Sequence, residues 1–484
     1  MAEPAKRLGP LDMMFLYGET PSTMMHVGGL MPFTPPPDAP PDFLRQLLDE
    51  TKLEKVVPPW NRKLAHPTLL YRPDQAWVVD DNFDLDYHVR RSALASPGDE
   101  RELGILVSRL HSNALDLRRP PWEVHFIEGL EGGRFAMYIK MHHALVDGYT
   151  ATKILRKSMS TDPHDTDHPL FFNIRGPATG SSHKAEDTEN SEGGGNLLSS
   201  AAGAISAIGS AIGFVAGTGR SAFDLTRAVI NTELRPGDEH RDLVTSFQAP
   251  PCILNNRISR NRRFATQHYK AERLKAIGAM QDATLNDVAL SIIGGGLRTF
   301  LAELGELPDR SLIAFVPVNV RAKDDEGGGN AVGAMLAPMG TDIADPIERL
   351  DTVARSTRAT KNELRRMSRN AIMAYSAAIM APSGFQVVSA LTGVRPPWPF
   401  AFNLCVSNVP GPKDVLYLRG SRMEANYPVS IPAHGMALNI TLHSYAGDLD
   451  FGFVGCRDTL PHLQRLAVYT GEALDELEAA VSAA

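Results

Sequence analysis

Two adjacent histidines, followed four residues later by an aspartate, form the pattern in this sequence that most strongly predicts chemistry. The segment reads MYIKMHHALVDGYT and contains His142, His143 and Asp147. The residues before the histidines predict a strand, and those after Asp147 predict a helix. Because side chains alternate along a strand, His142 and His143 should point to opposite faces. Only one imidazole can therefore serve a given site.

His143 is the better candidate for a general base. It shares a strand face with Ile139 and Met141, so it should be the buried histidine of the pair, placed where a cleft could reach it. Desolvation disfavours imidazolium and keeps the ring neutral near pH 7. The alternative is a core histidine with satisfied hydrogen bonds, with Asp147 serving only as a helix cap. A metal site is disfavoured because the spacing offers no third ligand.

Composition limits the class of protein that carries this motif. Of the 484 residues, 43% are hydrophobic and 22% are charged, which is typical of a globular protein with a substantial core. The net charge of −7 argues against a nucleic-acid partner. The three cysteines are far apart, which argues against a disulfide scaffold or a zinc site. Neither a secretory signal nor a membrane span is evident, so we expect a cytoplasmic protein.

The chain divides into three zones by composition. Residues 1–175 and 247–484 mix helix and strand patterns, which predicts an α/β or α+β fold. The linker between them, 176–246, begins with a polar stretch rich in glycine and serine that we expect to be disordered. It continues at 196–217 with an uncharged stretch whose apolar residues recur at helical spacing. That stretch could bind a lipid surface, pack on the protein itself or extend the linker.

The segment HHALVDG at 142–148 resembles the HHxxxDG motif of the CoA-dependent acyltransferase superfamily, which includes chloramphenicol acetyltransferase and nonribosomal peptide condensation domains. Further segments, spread over most of the chain outside the linker, resemble the bacterial wax ester synthase/diacylglycerol acyltransferase family. They are GPLDMMFLYGETPSTMMHVGGL at 9–30, RRPPWEVHFIEGL at 118–130, TLNDVAL at 284–290, PVNVR at 317–321, GGGNAVGAM at 327–335 and SNVPGP at 407–412. This combination is more specific than HHxxxDG alone.

The resemblance implies two chloramphenicol-acetyltransferase-like halves, 1–175 and 247–484, with an active-site tunnel between them. It implies an O-acyltransferase that moves a fatty acyl group from acyl-CoA to diacylglycerol or a long-chain alcohol, giving triacylglycerol or wax ester. His143 would deprotonate the acceptor hydroxyl, next to His142, and Asp147 would be a structural carboxylate held by an arginine. Acyl-CoA would be a co-substrate and no cofactor is expected. Contact with a membrane or lipid droplet would be peripheral.

Two further features fit this chemistry. Attack on a thioester creates an oxyanion, and Asn286 lies at a predicted helix start, where unpaired N–H groups favour negative charge. Asn286 matches the asparagine of the family's ND motif, although it could merely cap the helix together with Asp287. The phosphates of CoA suit arginine side chains. The densest basic cluster consists of Arg257, Arg260, Arg262 and Arg263. This cluster could instead face water or anionic lipid.

Two other functions stay open from the sequence. A condensation-type or polyketide-tailoring acyltransferase would use the same histidine, but such enzymes usually need a carrier domain, and none is evident. A non-catalytic lipid-droplet coat protein could use the uncharged stretch at 196–217, but it would have no need of HHALVDG. A serine hydrolase is disfavoured because the sequence contains no GxSxG motif.

Overall fold

The computed structural model describes most of the chain outside the linker. The described residues are 5–146, 148–176, 242–245, 248–319, 332–367, 371–372, 375–376, 379, 392–393 and 400–483. Asp147 and the uncharged stretch at 196–217 lie outside them, as does the rest of the linker apart from residues 176 and 242–245.

Helices and strands alternate through the described residues, which confirms the predicted mixed α/β class. The helices are α1 (Pro10–Gly18), α2 (Phe43–Thr51), α3 (Leu85–His88), α4 (Glu100–His111), α5 (Gly148–Lys157), α6 (Ala271–Met280), α7 (Leu285–Glu303), α8 (Pro346–Arg366) and α9 (Leu463–Ala483). The strands are β1 (Lys6–Arg7), β2 (His26–Thr34), β3 (Arg62–Leu64), β4 (Ala76–Val79), β5 (Val89–Ala93), β6 (Trp122–Glu128), β7 (Phe135–His142), β8 (Arg262–Lys270), β9 (Ile313–Asn319), β10 (Val332–Pro338), β11 (Leu404–Val409), β12 (Tyr417–Leu418), β13 (Ser421–Met423), β14 (Tyr427–Val429), β15 (Leu438–Tyr445) and β16 (Asp448–Cys456).

The sheet of the N-terminal half places the histidine motif at the end of an inner strand. Its order is β12-β13-β2-β7-β6-β5, and β14 also pairs with β2. Strand β7 runs antiparallel to both of its neighbours, β2 and β6. Every residue of β7 is buried, because Met137 and Ile139 pack in one apolar cluster while Ala136 and Tyr138 pack in another on the opposite face. The motif therefore starts from a strand that is covered on both sides.

The sheet of the C-terminal half has the order β10-β9-β11-β15-β16-β8. Strand β11 runs parallel to β9 and β15, and the other neighbours pair antiparallel. Helices α7, α8 and α9 pack together and contribute to one continuous apolar core with this sheet. The small third sheet, β1-β4-β3, belongs to the N-terminal half.

Strand pairing and side-chain hydrogen bonds both join the halves. Strands β13 and β14 pair with β2, so a segment near residue 420 completes the sheet of the N-terminal half. One of these hydrogen bonds lies at β8, where the amide of Phe264 donates to Oγ of Ser108 on α4 at a distance of 2.9 Å. The sequence boundary at residue 247 therefore does not coincide in space with the boundary between the two large sheets. None of the described helices has the length and apolar composition needed to cross a membrane.

Three consecutive glycines in α7 allow close packing of backbone, as the sequence indicates. A Cβ on Gly294 would lie 1.8 Å from the carbonyl oxygen of Met339, and one on Gly296 would lie 2.8 Å from the amide nitrogen of Thr470. A capping box is present at the start of this helix, because Thr284 and Asp287 exchange hydrogen bonds. Helix α7 is thus fixed closely against its neighbours and holds the residues of its first turn in place.

We expect Gly294→Ala to destabilise the protein by roughly 1–3 kcal/mol, because the added methyl group would displace the backbone at Met339. Gly104→Ala in α4 is the matched control, since its Cβ would lie 3.6 Å from the nearest atom. The control should be neutral or stabilising by up to about 1 kcal/mol, because alanine favours the helix. Thermal or denaturant unfolding measures both changes. Equal effects of the two substitutions would contradict the packing argument.

Candidate active site

Backbone hydrogen bonds fix the turn that carries the two histidines. The amide of His142 donates to the carbonyl of Pro121 at 2.9 Å, which continues the pairing of β7 with the start of β6. The amide of His143 donates to the carbonyl of Met25, and the amide of Leu145 donates to the carbonyl of His142, both at 2.9 Å. Both imidazoles therefore project from a tightly held backbone.

The side chain of His142 is engaged within the protein. It is 1% exposed, and its Nδ1 accepts a hydrogen bond of 3.1 Å from the amide of Ala144. Its Nε2 lies 3.4 Å from Oε2 of Glu19, which also accepts the amide of Met25 at 2.5 Å. A neutral His142 therefore carries its proton on Nε2, toward Glu19. Its one lone pair is already used, so it cannot accept a proton from a substrate.

His143 differs from its neighbour in burial and in contacts. It is half-buried, and its ring stacks on Phe15 with the centroids 3.9 Å apart and the planes inclined by 14°. The expectation that His143 would be the more buried histidine was wrong, because His142 is the fully buried one. Strand parity could not separate them, since both faces of β7 are covered and His143 already lies in the turn. Partial exposure leaves this imidazole within reach of a ligand.

Helix α1 and its C-terminal cap hold both histidines. Phe15 and Glu19 are four residues apart, so they lie on one side of the helix and contact His143 and His142 respectively. The helix is anchored by Leu16, which is fully buried. Sequence reasoning did not single out Phe15 or Glu19. The signal that could have identified them is their separation of four residues in the segment 9–30, which places both on one side of a helix.

Asn286 is oriented by a residue of the SNVPGP segment. Nδ2 of Asn408 donates a hydrogen bond of 2.5 Å to Oδ1 of Asn286. The cap of α7 is formed instead by Thr284 together with Asp287, whose carboxylate accepts the amide of Thr284 at 2.8 Å and the hydroxyl of Thr357 at 2.6 Å. With its oxygen occupied, Asn286 has its amide N–H groups left to donate. Sequence reasoning missed the partner, Asn408.

A chain of neutral polar groups connects the two halves beside the motif. Nε2 of His26 donates to the carbonyl of His111 at 3.0 Å, and Nε2 of His111 donates to the carbonyl of Ser430 at 3.1 Å. The hydroxyl of Tyr138 donates to Nδ1 of His111 at 2.8 Å, and the hydroxyls of Ser430 and Thr441 are 2.7 Å apart. Burial lowers the pKa of His111 to about 3 and holds that of His26 well below its ordinary value. These rings therefore stay uncharged at neutral pH.

The PPWE segment has a structural role next to the motif. Trp122 is fully buried and donates from Nε1 to the carbonyl of Trp60 at 2.7 Å, so it anchors the segment in the core. Glu123 lies 3.6 Å from Nζ of the buried Lys140 and 3.5 Å from the guanidinium of Arg90. The carboxylate thus neutralises two cations beneath β7, one of which lies two residues before His142.

The four arginines of the basic cluster do not share one environment. Arg262 is 3% exposed, and its guanidinium donates to the carbonyls of Ser259 and Ser22, both at 2.5 Å. Burial lowers its pKa to about 10. Arg262 therefore joins the halves and cannot face CoA, which corrects its assignment as a binding residue. Arg257 and Arg260 are exposed and Arg263 is half-buried. Arg260 also donates a hydrogen bond of 3.1 Å to Oδ1 of Asn113 in the N-terminal half.

No cluster of three or more metal-ligating side chains occurs among the described residues. The described active-site groups comprise one engaged histidine, one half-exposed histidine and an oriented amide. This set suits proton transfer and stabilisation of an oxyanion.

Comparison with known proteins identifies the family. The family model of the wax ester synthase/diacylglycerol acyltransferase catalytic domain matches residues 8–289, and that of the WS/DGAT C-terminal domain matches residues 328–478. A putative diacylglycerol O-acyltransferase of Mycobacterium tuberculosis is 68% identical to this chain over an alignment of 498 residues. The alignment covers 100% of this chain and 99% of that protein. The O-acyltransferase WSD of Acinetobacter baylyi is 37% identical over 98% of this chain and 97% of its own length.

Solved structures agree with this result. The wax ester synthase/diacylglycerol acyltransferase from Marinobacter aquaeolei VT8 is similar with a TM-score of 0.76 and 34% identity, covering 99% of this chain and 100% of that one. The first condensation domain of the CDA synthetase shares the fold, with a TM-score of 0.56 and 13% identity over 99% of this chain and 97% of its own. From these matches over its whole length, the chain belongs to the wax ester synthase/diacylglycerol acyltransferase family.

Proposed function

We propose that this protein transfers a fatty acyl group from acyl-CoA to the hydroxyl of a diacylglycerol or a long-chain alcohol, with His143 as the general base. The observation that carries the assignment is the difference between the two histidines. Nδ1 of His142 accepts the amide of Ala144, whereas His143 is half-exposed and stacked on Phe15. The names of the relatives, diacylglycerol O-acyltransferase and wax ester synthase, support the reaction class.

The proposed reaction is a direct transfer without an acyl-enzyme. His143 takes the proton of the acceptor hydroxyl while its oxygen attacks the thioester carbonyl. The tetrahedral intermediate collapses by breaking the C–S bond, and the leaving thiolate of CoA takes the proton from the imidazolium. Asn286 donates its amide N–H to the oxyanion, with its oxygen held by Asn408. Asp147 is proposed to be a structural carboxylate of the turn.

CoA is proposed to bind through three arginines of the basic cluster. Arg257 and Arg260 are exposed, and Arg263 is half-buried beside two further guanidinium groups. Burial and the charges of Arg457 and Arg101 lower the pKa of Arg263, which indicates a locally positive potential. Phosphate oxygens of CoA would relieve this repulsion.

Peripheral contact with a membrane or lipid droplet is proposed for the surface near α1. Met14, Leu69 and Tyr71 are exposed by 49%, 55% and 67%, and Tyr71 stacks on Tyr17 of α1. The same helix presents Phe15 to His143 on another side. Lipid substrates dissolved in a surface could therefore enter close to the proposed base.

An acceptor panel tests the proposed function. Purified protein is supplied with radiolabelled palmitoyl-CoA and either hexadecanol or dioleoylglycerol, and the lipids are separated by thin-layer chromatography. We expect labelled wax ester or triacylglycerol, with one free CoA released per ester. Release of CoA without ester would indicate hydrolysis instead. Transfer only from a carrier-bound donor would favour the condensation-type alternative, and no turnover would favour the coat protein.

Separate substitutions of the two histidines test the assignment of the base. His143→Ala should lower kcat by about 10²- to 10⁴-fold while the melting temperature stays close to that of the wild type. His142→Ala should lower activity less but reduce the melting temperature, because it removes the contacts with Ala144 and Glu19. Steady-state kinetics and thermal unfolding measure both effects. Equal and small losses of activity in the two variants would exclude His143 as the base.

The stacked ring of Phe15 should assist by stabilising the imidazolium that forms in the transition state. Phe15→Leu keeps an apolar side chain but removes the aromatic face, so kcat should fall by about 2- to 30-fold. The acidic limb of the pH profile of kcat/KM should move to lower pH, because the imidazolium of His143 in the free enzyme becomes less stable. Phe15→Tyr keeps the aromatic face and should retain both properties. An unchanged pH profile for Phe15→Leu would show that the stack contributes only packing.

A further inference from the structure

A small cavity lies between residues of the two halves, beside α5. Its walls are mainly apolar and include Met31 of β2, Leu155 of α5 and Met423 of β13. It has room for about one water molecule. Methionine side chains bend easily, so these walls can open for a larger group.

His443 of β15 faces this cavity without a hydrogen-bond partner. The side chain is 3% exposed, and neither ring nitrogen has a partner in the part of the chain that the structure describes. Gly411 makes room for the ring, since a Cβ there would lie 2.8 Å from Nε2 of His443. A buried polar group without a partner costs about 1–3 kcal/mol, so this arrangement indicates a site for a ligand atom.

The chemistry of His443 limits the class of ligand. Desolvation lowers its pKa to about 4, so the ring is uncharged near neutral pH and offers one N–H donor and one acceptor. Arg156, a charged residue of the lining, is exposed to solvent. A neutral imidazole among apolar walls suits an uncharged lipid group that accepts a hydrogen bond. An anionic phosphate would find no compensating charge at His443.

Short stretches of the chain connect the cavity lining to both parts of the proposed active site. Helix α5 begins at Gly148, five residues after His143, and contributes Thr152 and Leu155 to the lining. Thr152 is about 6 Å from Gly148 along the helix axis, at 1.5 Å per residue. The SNVPGP segment supplies Pro412 to the lining, and the same segment contains Asn408, which orients Asn286.

We propose that this cavity is a subsite for an ester group of the acceptor lipid, and that His443 donates a hydrogen bond to an ester carbonyl of diacylglycerol. The proposal rests on the proposed function and adds a specificity-determining residue to it. Diacylglycerol has two ester carbonyls besides its reactive hydroxyl, whereas a long-chain alcohol has none. His443 would therefore favour diacylglycerol over long-chain alcohols.

Three variants test this role. His443→Leu removes the donor, and His443→Gln keeps a donor and an acceptor. Met280→Leu is the control, because Met280 is an exposed residue outside the cavity lining. For each, kcat/KM is measured with palmitoyl-CoA and either dioleoylglycerol or hexadecanol, and the melting temperature is recorded. His443→Leu should lower the preference for dioleoylglycerol by roughly 5- to 100-fold, mainly through KM. His443→Gln and Met280→Leu should stay within about threefold of the wild type, a smaller change than that expected for a lost hydrogen bond.

Retention of labelled dioleoylglycerol or hexadecanol by the immobilised protein, without acyl-CoA, provides a second readout. The wild type should retain more dioleoylglycerol than His443→Leu, and the two should retain equal amounts of hexadecanol. Because retention is measured without acyl transfer, this experiment tests the subsite even if the proposed function is wrong. Failure of the proposed function can thus be distinguished from failure of the subsite proposal. An unchanged acceptor preference would show that the cavity holds only water and would overturn the proposal. Equal losses with both acceptors, or no retention of dioleoylglycerol by the wild type, would also overturn it.

Discussion

A hydrogen bond from the amide of Ala144 to Nδ1 of His142 separates two adjacent side chains of identical chemistry. It takes the lone pair of one imidazole and directs the remaining ring nitrogen toward Glu19. The neighbouring imidazole of His143 lies in the turn, stacked on Phe15 and open on part of its surface. The rest of the site depends on this division, because the partly exposed imidazole lies only where the backbone has already left β7.

The environment of the site is built from uncharged polar groups. Burial keeps His26, His111 and His443 neutral, so these rings act as uncharged donors and acceptors. The buried guanidinium of Arg262 is a charged exception at the joint between the halves. The positive charge of Lys140, which lies two residues before His142, is balanced by the nearby carboxylate of Glu123. This arrangement suits a reaction between apolar substrates, because charge then develops only at the reacting atoms and at the base.

Local patterns predicted local structure well. The strand that ends in the motif and the helix that starts beside Asn286 both follow from neighbouring residues. Burial could not be predicted in the same way, because it depends on what packs against a residue from distant parts of the chain. His142 is buried because both faces of β7 are covered, and Arg262 is buried because Ser22 lies across the joint between the halves.

The hydrogen-bond partners of the site could not be predicted from the sequence for the same reason. Asn408 lies 122 residues from Asn286, and Ser430 lies 319 residues from His111. No period or short motif connects such pairs. The family resemblance identified the segments that carry these residues, but the contacts between the segments required the fold.

The pairing of β13 and β14 with β2 also has a consequence for the folding of the chain. Strand β2 lies near residue 30, and its partners lie near residues 420 to 430. During synthesis, one side of β2 must stay without its native partners until most of the chain has been made. Contacts between such distant segments slow folding, and an unpaired strand edge favours aggregation. A fragment that ends at the linker would keep that edge open permanently, so the N-terminal half cannot complete its own sheet despite containing the histidine motif.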